Sequence, residues 1–189
     1  MTFRADTGAV NMPSIPPRSI ETDHLLLRPT RGSDAARAFE IQTDWEVTRM
    51  LSLASFPPDR QELGRWFADR EREWLAGEAY RFAVEHEGRM IGMADIDGIA
   101  AREGTLGYWL DRAAWGRGHA FEAAHAVTCF ALEGVGLTRL EAGHADDNPA
   151  SGRILIKLGF TLTGTAQGFS RSRGEYIERR RYELTSFGD

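Results

Sequence analysis

Cysteine is almost missing from this chain: Cys129 is the one thiol in 189 residues. A lone cysteine cannot build an internal disulfide framework, which points to a reducing compartment and a cytoplasmic location. Its neighbours Val127, Phe130 and Ala131 suggest a buried, inert thiol. Long apolar runs are missing too. No stretch approaches the roughly 18 residues that a membrane span needs, and the N-terminus lacks the apolar core of a signal peptide. Charge of one sign is not in large excess. The net charge of −5 disfavours nonspecific nucleic-acid binding and leaves a mild pull on cationic substrates. His24, His86, His119, His125 and His144 show no metal-ligand spacing, so no metal is expected. Repeats and low-complexity tracts are also missing. What is present, 42% hydrophobic and 27% charged residues, suits one domain with one core.

In chain order, residues 1–20 are polar and carry Pro13, Pro16 and Pro17, an irregular arm that is either a free tail or an element packed on a partner. Residues 21–189 read as a single domain. His24–Arg28 is a short strand closed by Pro29, and Ser33 or Asp34 can cap the helix that follows. Thr43–Phe56 is a mixed segment. Pro57-Pro58 breaks the chain, and Asp59 starts a helix to about Leu75. Its apolar face would hold Leu63, Trp66, Phe67, Arg70 and Trp74, with Gly77 as its end. Tyr80–Glu85, Arg89–Asp97 and Gly104–Leu110 form a meander. Ala120–Glu133 is helical and stops at Gly134 and Gly136. Arg139–Gly143 is a strand, Asn148–Leu158 a short helix, and Phe160–Thr165 with Glu175–Leu184 a closing hairpin. This order fits a mixed α/β sheet of about seven mostly antiparallel strands with helices on both faces.

The informative stretch is Thr105–Phe121, TLGYWLDRAAWGRGHAF. It passes from strand to turn to helix. Gly116 and Gly118 sit at the junction, where missing Cβ atoms let a ligand approach the backbone. The first helix amides lack partners and lie at the positive end of the dipole, a setting for a phosphate or diphosphate. A tight turn with no ligand is the plainer alternative. No Walker lysine follows, and the third glycine and ribose-binding acid of a dinucleotide fold are missing, which argues against an oxidoreductase.

The stretch resembles the acetyl-CoA loop of the GNAT (GCN5-related) N-acetyltransferases, Gln/Arg-x-x-Gly-x-Gly/Ala, laid over Trp115, Gly116, Arg117, Gly118, His119 and Ala120. Trp at the first position departs from the pattern and is usual in the Rim-type (ribosomal-protein-alanine acetyltransferase) branch. Asn148-x-x-Ser151 and Lys157-Leu-Gly-Phe160 supply a second marker. The resemblance covers residues 22–184. It implies the GNAT fold, in which the strand before the loop splays from the strand after the next helix to form a coenzyme cleft. It implies acetyl-CoA as co-substrate and an amine acceptor, either a protein N-terminus or a small molecule.

On this resemblance, the amides of Arg117, Gly118, His119, Ala120 and Phe121 hold the diphosphate, with Arg117 adding charge. Trp109, Leu110 and Asp111 present backbone to the pantetheine arm, and the Leu110 amide polarises the thioester carbonyl. Asn148 caps its helix and touches the coenzyme arm, and Ser151 lies near the sulfur. A tyrosine acid common in the family is replaced by Leu155. A thiol of pKa about 8.5 still leaves tolerably at pH 7. Thr43–Phe56 would wall the acceptor site or simply pack. For a base, Asp97 is the candidate taken forward, with Asp95, Glu103 and Glu46 behind it. Asp95 and Asp97 share a strand face, and Glu178 stands where Rim-type chains often carry an acid. Arg171, Arg173 and Arg179–Arg181 read as charged hairpin faces or as an anion pocket. A homodimer stays open. The competing reading is a non-catalytic sensor of CoA or acyl-CoA with the same fold.

Overall fold

The computed structural model describes residues 15–185. Met1–Ser14, most of the expected arm, lie outside the described residues. The described end of that arm packs on the domain itself. Trp74 Nε1 donates to the Ile15 carbonyl at 2.8 Å, and the Arg18 guanidinium lies 5.1 Å over the Phe130 ring.

The elements are β1 (Ile20–Glu21), β2 (Leu26–Pro29), α1 (Asp34–Gln42), α2 (Trp45–Thr48), α3 (Arg60–Ala68), α4 (Arg70–Ala76), β3 (Tyr80–His86), β4 (Arg89–Ala100), β5 (Glu103–Leu110), α5 (His119–Cys129), β6 (Arg139–Ala145), α6 (Pro149–Lys157), β7 (Thr161–Ser170) and β8 (Glu175–Thr185). They build one eight-stranded sheet in the order β1-β2-β3-β4-β5-β6-β8-β7. Every neighbouring pair is antiparallel except β5–β6, which α5 crosses over to join in parallel. The mixed sheet matches expectation. The added strand is β1, two residues long and too short to carry a pattern.

Alternation along β3 sends Tyr80, Phe82 and Val84 to one face, where they meet Trp74, Val127, Phe130 and Leu140. Trp74, Tyr80, Phe82 and Phe130 pack edge to face, with centroids 5.0–5.3 Å apart in four of their contacts. Ala83, Met90 and Met93 turn to the other face, against Ala38 of α1 and Phe67 of α3. This division explains one correction. The expected helix from Asp59 to Leu75 is two helices hinged at Asp69. Phe67 and Trp74 would lie on one stripe of a straight helix, yet they serve opposite faces of the sheet. The expected cap holds, since Asp59 Oδ1 accepts from the Gln61 and Glu62 amides at 2.7 and 3.0 Å.

Two further differences are local. After Cys129 the helix widens into a π turn over Phe130–Val135, so Gly134 lies inside it and Gly136, at φ +81°, ends it. Cys129 is half-buried rather than enclosed, with its sulfur 3.8 Å from His125 Nε2.

The feature that matters for function is the end of the β5–β6 ladder. It pairs Glu103–Leu106 with Arg139–Ala142 and stops. Past it β5 stays with β4 and β6 stays with β8, so the two halves of the sheet part. The first residue beyond the last pair is glycine on both strands, Gly107 and Gly143. A Cβ on Gly107 would collide with the Asp95 carboxylate, and one on Gly143 would come within 3.0 Å of the Arg180 carbonyl. A Cβ on Gly92, opposite Leu110, would collide with the Trp109 carbonyl. Gly92→Ala should therefore destabilise the fold by about 1–3 kcal/mol, the usual penalty of overpacking, read as a lower urea midpoint. An unchanged midpoint would mean that the two strands are free to move apart there.

Candidate active site

The parting strands open a cleft of about 440 Å³. One wall is the end of β5, Tyr108–Leu110. The other is Gly143 and His144 of β6 with Asn148, Ser151 and Ile154 of α6. The start of α5 and Val47, Met50 and Leu51 also line it. No Asp, Glu, Lys or Arg lines it among the described residues.

At the α5 end, Gly116 and Gly118 take φ of +74° and +85°, backbone that only glycine adopts without strain. Nothing lies within 4 Å of where their Cβ atoms would be, so the loop presents an open main-chain face. The first helical bond runs from the Glu122 amide to the Gly118 carbonyl at 3.1 Å. The amides of Gly118, His119, Ala120 and Phe121 precede it and have no carbonyl four residues back within the helix. His119 opens the helix with its side chain buried and Nδ1 unpartnered. Its ring packs 4.6 Å from that of His86, and burial first, then His86, holds its pKa below the usual imidazole value. The Arg117 side chain points outward and is exposed.

Ladder parity decides which β5 groups face the cleft. The Asp111 amide donates to the Ile91 carbonyl at 2.7 Å, so it faces β4, and the main chain of Leu110 turns to the open side. The Leu110 carbonyl accepts from Trp115 Nε1 at 2.9 Å, which leaves its amide toward the cleft. Trp115, the departure from the loop pattern, thus ties the loop to the end of the strand. The same parity corrects two expected residues. The Trp109 carbonyl is turned toward Gly92, and the Asp111 amide is engaged with Ile91, so neither main chain serves the cleft as Leu110 does. Asp111 instead caps Ala113 at 3.0 Å and binds Arg37. Trp109 still lines the cleft.

Across the cleft, Asn148 Oδ1 accepts from the Ser151 amide at 3.3 Å, the expected helix cap. Ser151 Oγ lies 2.8 Å from the Tyr108 hydroxyl, which also reaches the Ser151 carbonyl at 3.2 Å. Burial pushes the Tyr108 pKa up to about 12, partly opposed by the Ser151 bond, so the hydroxyl keeps its proton at neutral pH.

Asp97 is not brought to this site. Gly92 pairs with Leu110 and Asp97 with Thr105, so Asp97 lies five residues along β4, roughly 17 Å away at about 3.4 Å per residue. Its carboxylate is 3.2 Å from Arg81, which also holds Asp95 at 2.5 Å and Glu73 at 3.0 Å. The expected shared face is real, but it serves an ion cluster. Burial raises Asp95 to about 6. Glu103 is held by Arg139 at 2.8 Å, and Glu178 is exposed. The hairpin arginines are also engaged: Arg173 with Asp147 at 2.8 Å, Arg180 with Asp146 at 2.6 Å, and Arg171 with Glu62.

Tyr108 and His144 are the site residues that sequence reasoning missed. Tyr108 sits two residues before Leu110 and so shares its side of the strand, a period-two inference available from the start. His144 escaped because β6 runs to Ala145 rather than ending at Gly143.

The raised pKa of Tyr108 has a stability consequence. Unfolded tyrosine ionises near pH 10, while folded Tyr108 keeps its proton to about 12. Its contribution is therefore fully present below pH 10 and is lost as pH climbs toward 12. In urea titrations between pH 9 and 11.5, Tyr108→Phe should lose stability less steeply than the parent chain. Parallel curves would contradict the burial of this hydroxyl.

Comparison with known proteins agrees with this geometry. The family model "Acetyltransferase (GNAT) domain" matches residues 24–161. Two relatives from Bacillus subtilis (strain 168) cover most of the chain. The probable N-acetyltransferase YjcK is 35% identical over 155 residues, 76% of this chain and 83% of its own. The uncharacterized N-acetyltransferase YoaA is 28% identical over 171 residues, 87% and 95% of the two chains. In fold, the chain is similar to the RimL ribosomal L7/L12 α-N-protein acetyltransferase in complex with coenzyme A, with a TM-score of 0.80, 20% identity and coverage of 91% and 100%. It is equally similar to the ribosomal-protein-S5-alanine acetyltransferase from Vibrio fischeri, at 0.80 and 20%, with coverage of 90% and 97%. The parted sheet, the glycine loop at the α5 start and these matches lead to one conclusion: the chain belongs to the GNAT acetyltransferase family.

Proposed function

We propose that this chain transfers an acetyl group from acetyl-CoA to a primary amine by direct attack on the thioester. The observation that carries the reading is the layout of the cleft. The first helix amides of α5, with no carbonyl four residues back within the helix, the open edge of β5 at Leu110 and the Ser151–Tyr108 pair all border it.

The residues present fit the substrate. The left-handed glycines leave the loop backbone open, so the amides from Arg117 to Phe121, at the positive end of α5, suit a diphosphate. Past Leu106 the cleft edge of β5 has no strand beside it, and an extended amide-containing arm can pair there. The Leu110 amide is then placed to donate to the thioester oxygen as negative charge develops on it. As the C–N bond forms and the C–S bond breaks, the sulfur leaves as thiolate. Ser151 Oγ, backed by the neutral Tyr108 hydroxyl, can donate a hydrogen bond or a proton to it.

The acceptor end is apolar, with Val47, Met50 and Leu51, and among the described residues no carboxylate lines it to hold an ammonium ion. That favours an amine already neutral near physiological pH. An α-amine, of pKa about 7.7–8.0, meets the requirement better than lysine at about 10.4. Neighbours in fold named as a ribosomal L7/L12 α-N-protein acetyltransferase and a ribosomal-protein-S5-alanine acetyltransferase support the same choice. The acceptor class we favour is therefore a peptide N-terminus, with a small amine next. The lone cysteine accords with a reducing, cytoplasmic setting.

The missing carboxylate also favours a second reading, a sensor that binds acyl-CoA without turning it over. Acetyl-CoA mixed with a panel of peptides and small amines, with free thiol followed in time, separates the two. We expect thiol release with an α-amine acceptor, and Ser151→Ala should lower kcat by about 10-fold or more with little change in KM for acetyl-CoA. Gly118→Val, which cannot hold φ of +85° without strain, should abolish coenzyme binding in a thermal-shift assay. Tight binding with no thiol release from any acceptor would establish the sensor.

A further inference from the structure

Resting on the acyl-transfer reading above, the geometry points to His144 as the group that takes the proton from the attacking amine, through Nε2. The ionisable side chains that line the cleft are Tyr108, His119 and His144. Tyr108 holds its proton too tightly to serve as a base. His119 stands at the diphosphate end, as the first residue of α5. His144 alone among these lies on the wall beside Ser151. It follows Gly143 on β6, immediately past the point where β5 departs.

The fold sets both the tautomer and the orientation of this ring. Nδ1 lies 2.7 Å from the Ala145 carbonyl. A carbonyl can only accept, so Nδ1 carries the hydrogen and Nε2 carries the lone pair. The ring stacks on Tyr182, with centroids 5.4 Å apart and an interplanar angle of 29°, and Nε2 accepts from the Tyr182 hydroxyl at 3.3 Å, a long bond whose hydroxyl must turn away for Nε2 to take another proton. A Cβ at Gly152, next to Ser151, would stand 2.7 Å from Nε2, so α6 keeps glycine there and the ring can press against its first turn. The imidazole is 6% exposed, and among the described residues no carboxylate bonds to it. The groups around it are Tyr182 of β8, Ser151 and Gly152 of α6 and the cross-strand residue Arg180, whose guanidinium is engaged 2.6 Å from Asp146.

The proton balance closes with these residues. The amine nitrogen forms the C–N bond and becomes cationic. Its surplus proton passes to Nε2 directly or through one water. The imidazolium that results still donates from Nδ1 to Ala145. The thiolate is held by hydrogen bonds from the Ser151–Tyr108 pair and takes its proton from solvent as the products leave, while His144 returns its own to solvent, so both hydroxyls end as they began. A cleft with no carboxylate is then not a cleft without a base.

The test uses purified full-length enzyme, acetyl-CoA and the best peptide acceptor from the panel. His144→Asn keeps a donor near the Ala145 carbonyl and removes Nε2, and His144→Ala leaves room for free imidazole. We expect His144→Asn to lower kcat by about 10²-fold or more, with KM for acetyl-CoA within about twofold of the parent. We expect the acid limb that belongs to the enzyme to vanish from its kcat–pH profile. Added imidazole should restore a concentration-dependent part of the activity of His144→Ala, which a purely structural role would not allow. Retention of more than half of kcat in His144→Asn, or failure of imidazole to rescue a folded His144→Ala that binds CoA normally, would overturn the assignment. A parent enzyme that binds CoA but releases no thiol with any acceptor would overturn the acyl-transfer reading and this assignment with it. An active parent with an indifferent His144 would sink the assignment alone.

Discussion

Main-chain hydrogen-bonding groups are obligatory, and a sheet that parts in its middle must leave some of them without a strand. In this protein the parting falls between the one parallel pair, β5 and β6, while each strand keeps its antiparallel neighbour, β4 or β8. Two glycines, Gly107 and Gly143, stand just past the last shared pair, where side chains would strike the flanking structure. The opened edge of β5, the amides at the head of α5 and the first turn of α6 all face the gap so made. Unmet donors that would be a liability in a core are, on the function proposed above, the means of holding an extended, anionic ligand.

How far the chain could be read beforehand depends on whether a residue's role is local. Gly116 and Gly118 at a strand-to-helix junction mark a turn with an open backbone, and Asn148-Pro149 declares a helix start. Those features, the order of elements along the chain and the mixed sheet were legible. The break at Asp69 was not, because the hydrophobic period continues through it, and only the sheet's two faces show that Phe67 and Trp74 must diverge. Asp97 misled for a related reason. Its alternation with Asp95 is correct, but the register that carries it away from Leu110 is a property of two strands together.

Tyr108 and His144 show the same limit from the other side. Each lies on a strand whose sequence explains its place there, and neither belongs to a motif. Their chemistry arises from partners distant in sequence: Ser151 for Tyr108, Tyr182 for His144. The tyrosine missing at Leu155 has a counterpart in space, since a phenol reaches Ser151 from the opposite wall.

The indole of Trp115 ends in a bond to the Leu110 carbonyl, so the loop that opens α5 and the last residue of β5 are fastened together. The two ends of the cleft cannot drift independently, and the gap between them becomes a ruler. On the function proposed above, a thioester with its full nucleotide handle would reach both marks at once. One that lacks the handle would forgo either its anchorage or its alignment, and selection by length would then rest on a single tryptophan.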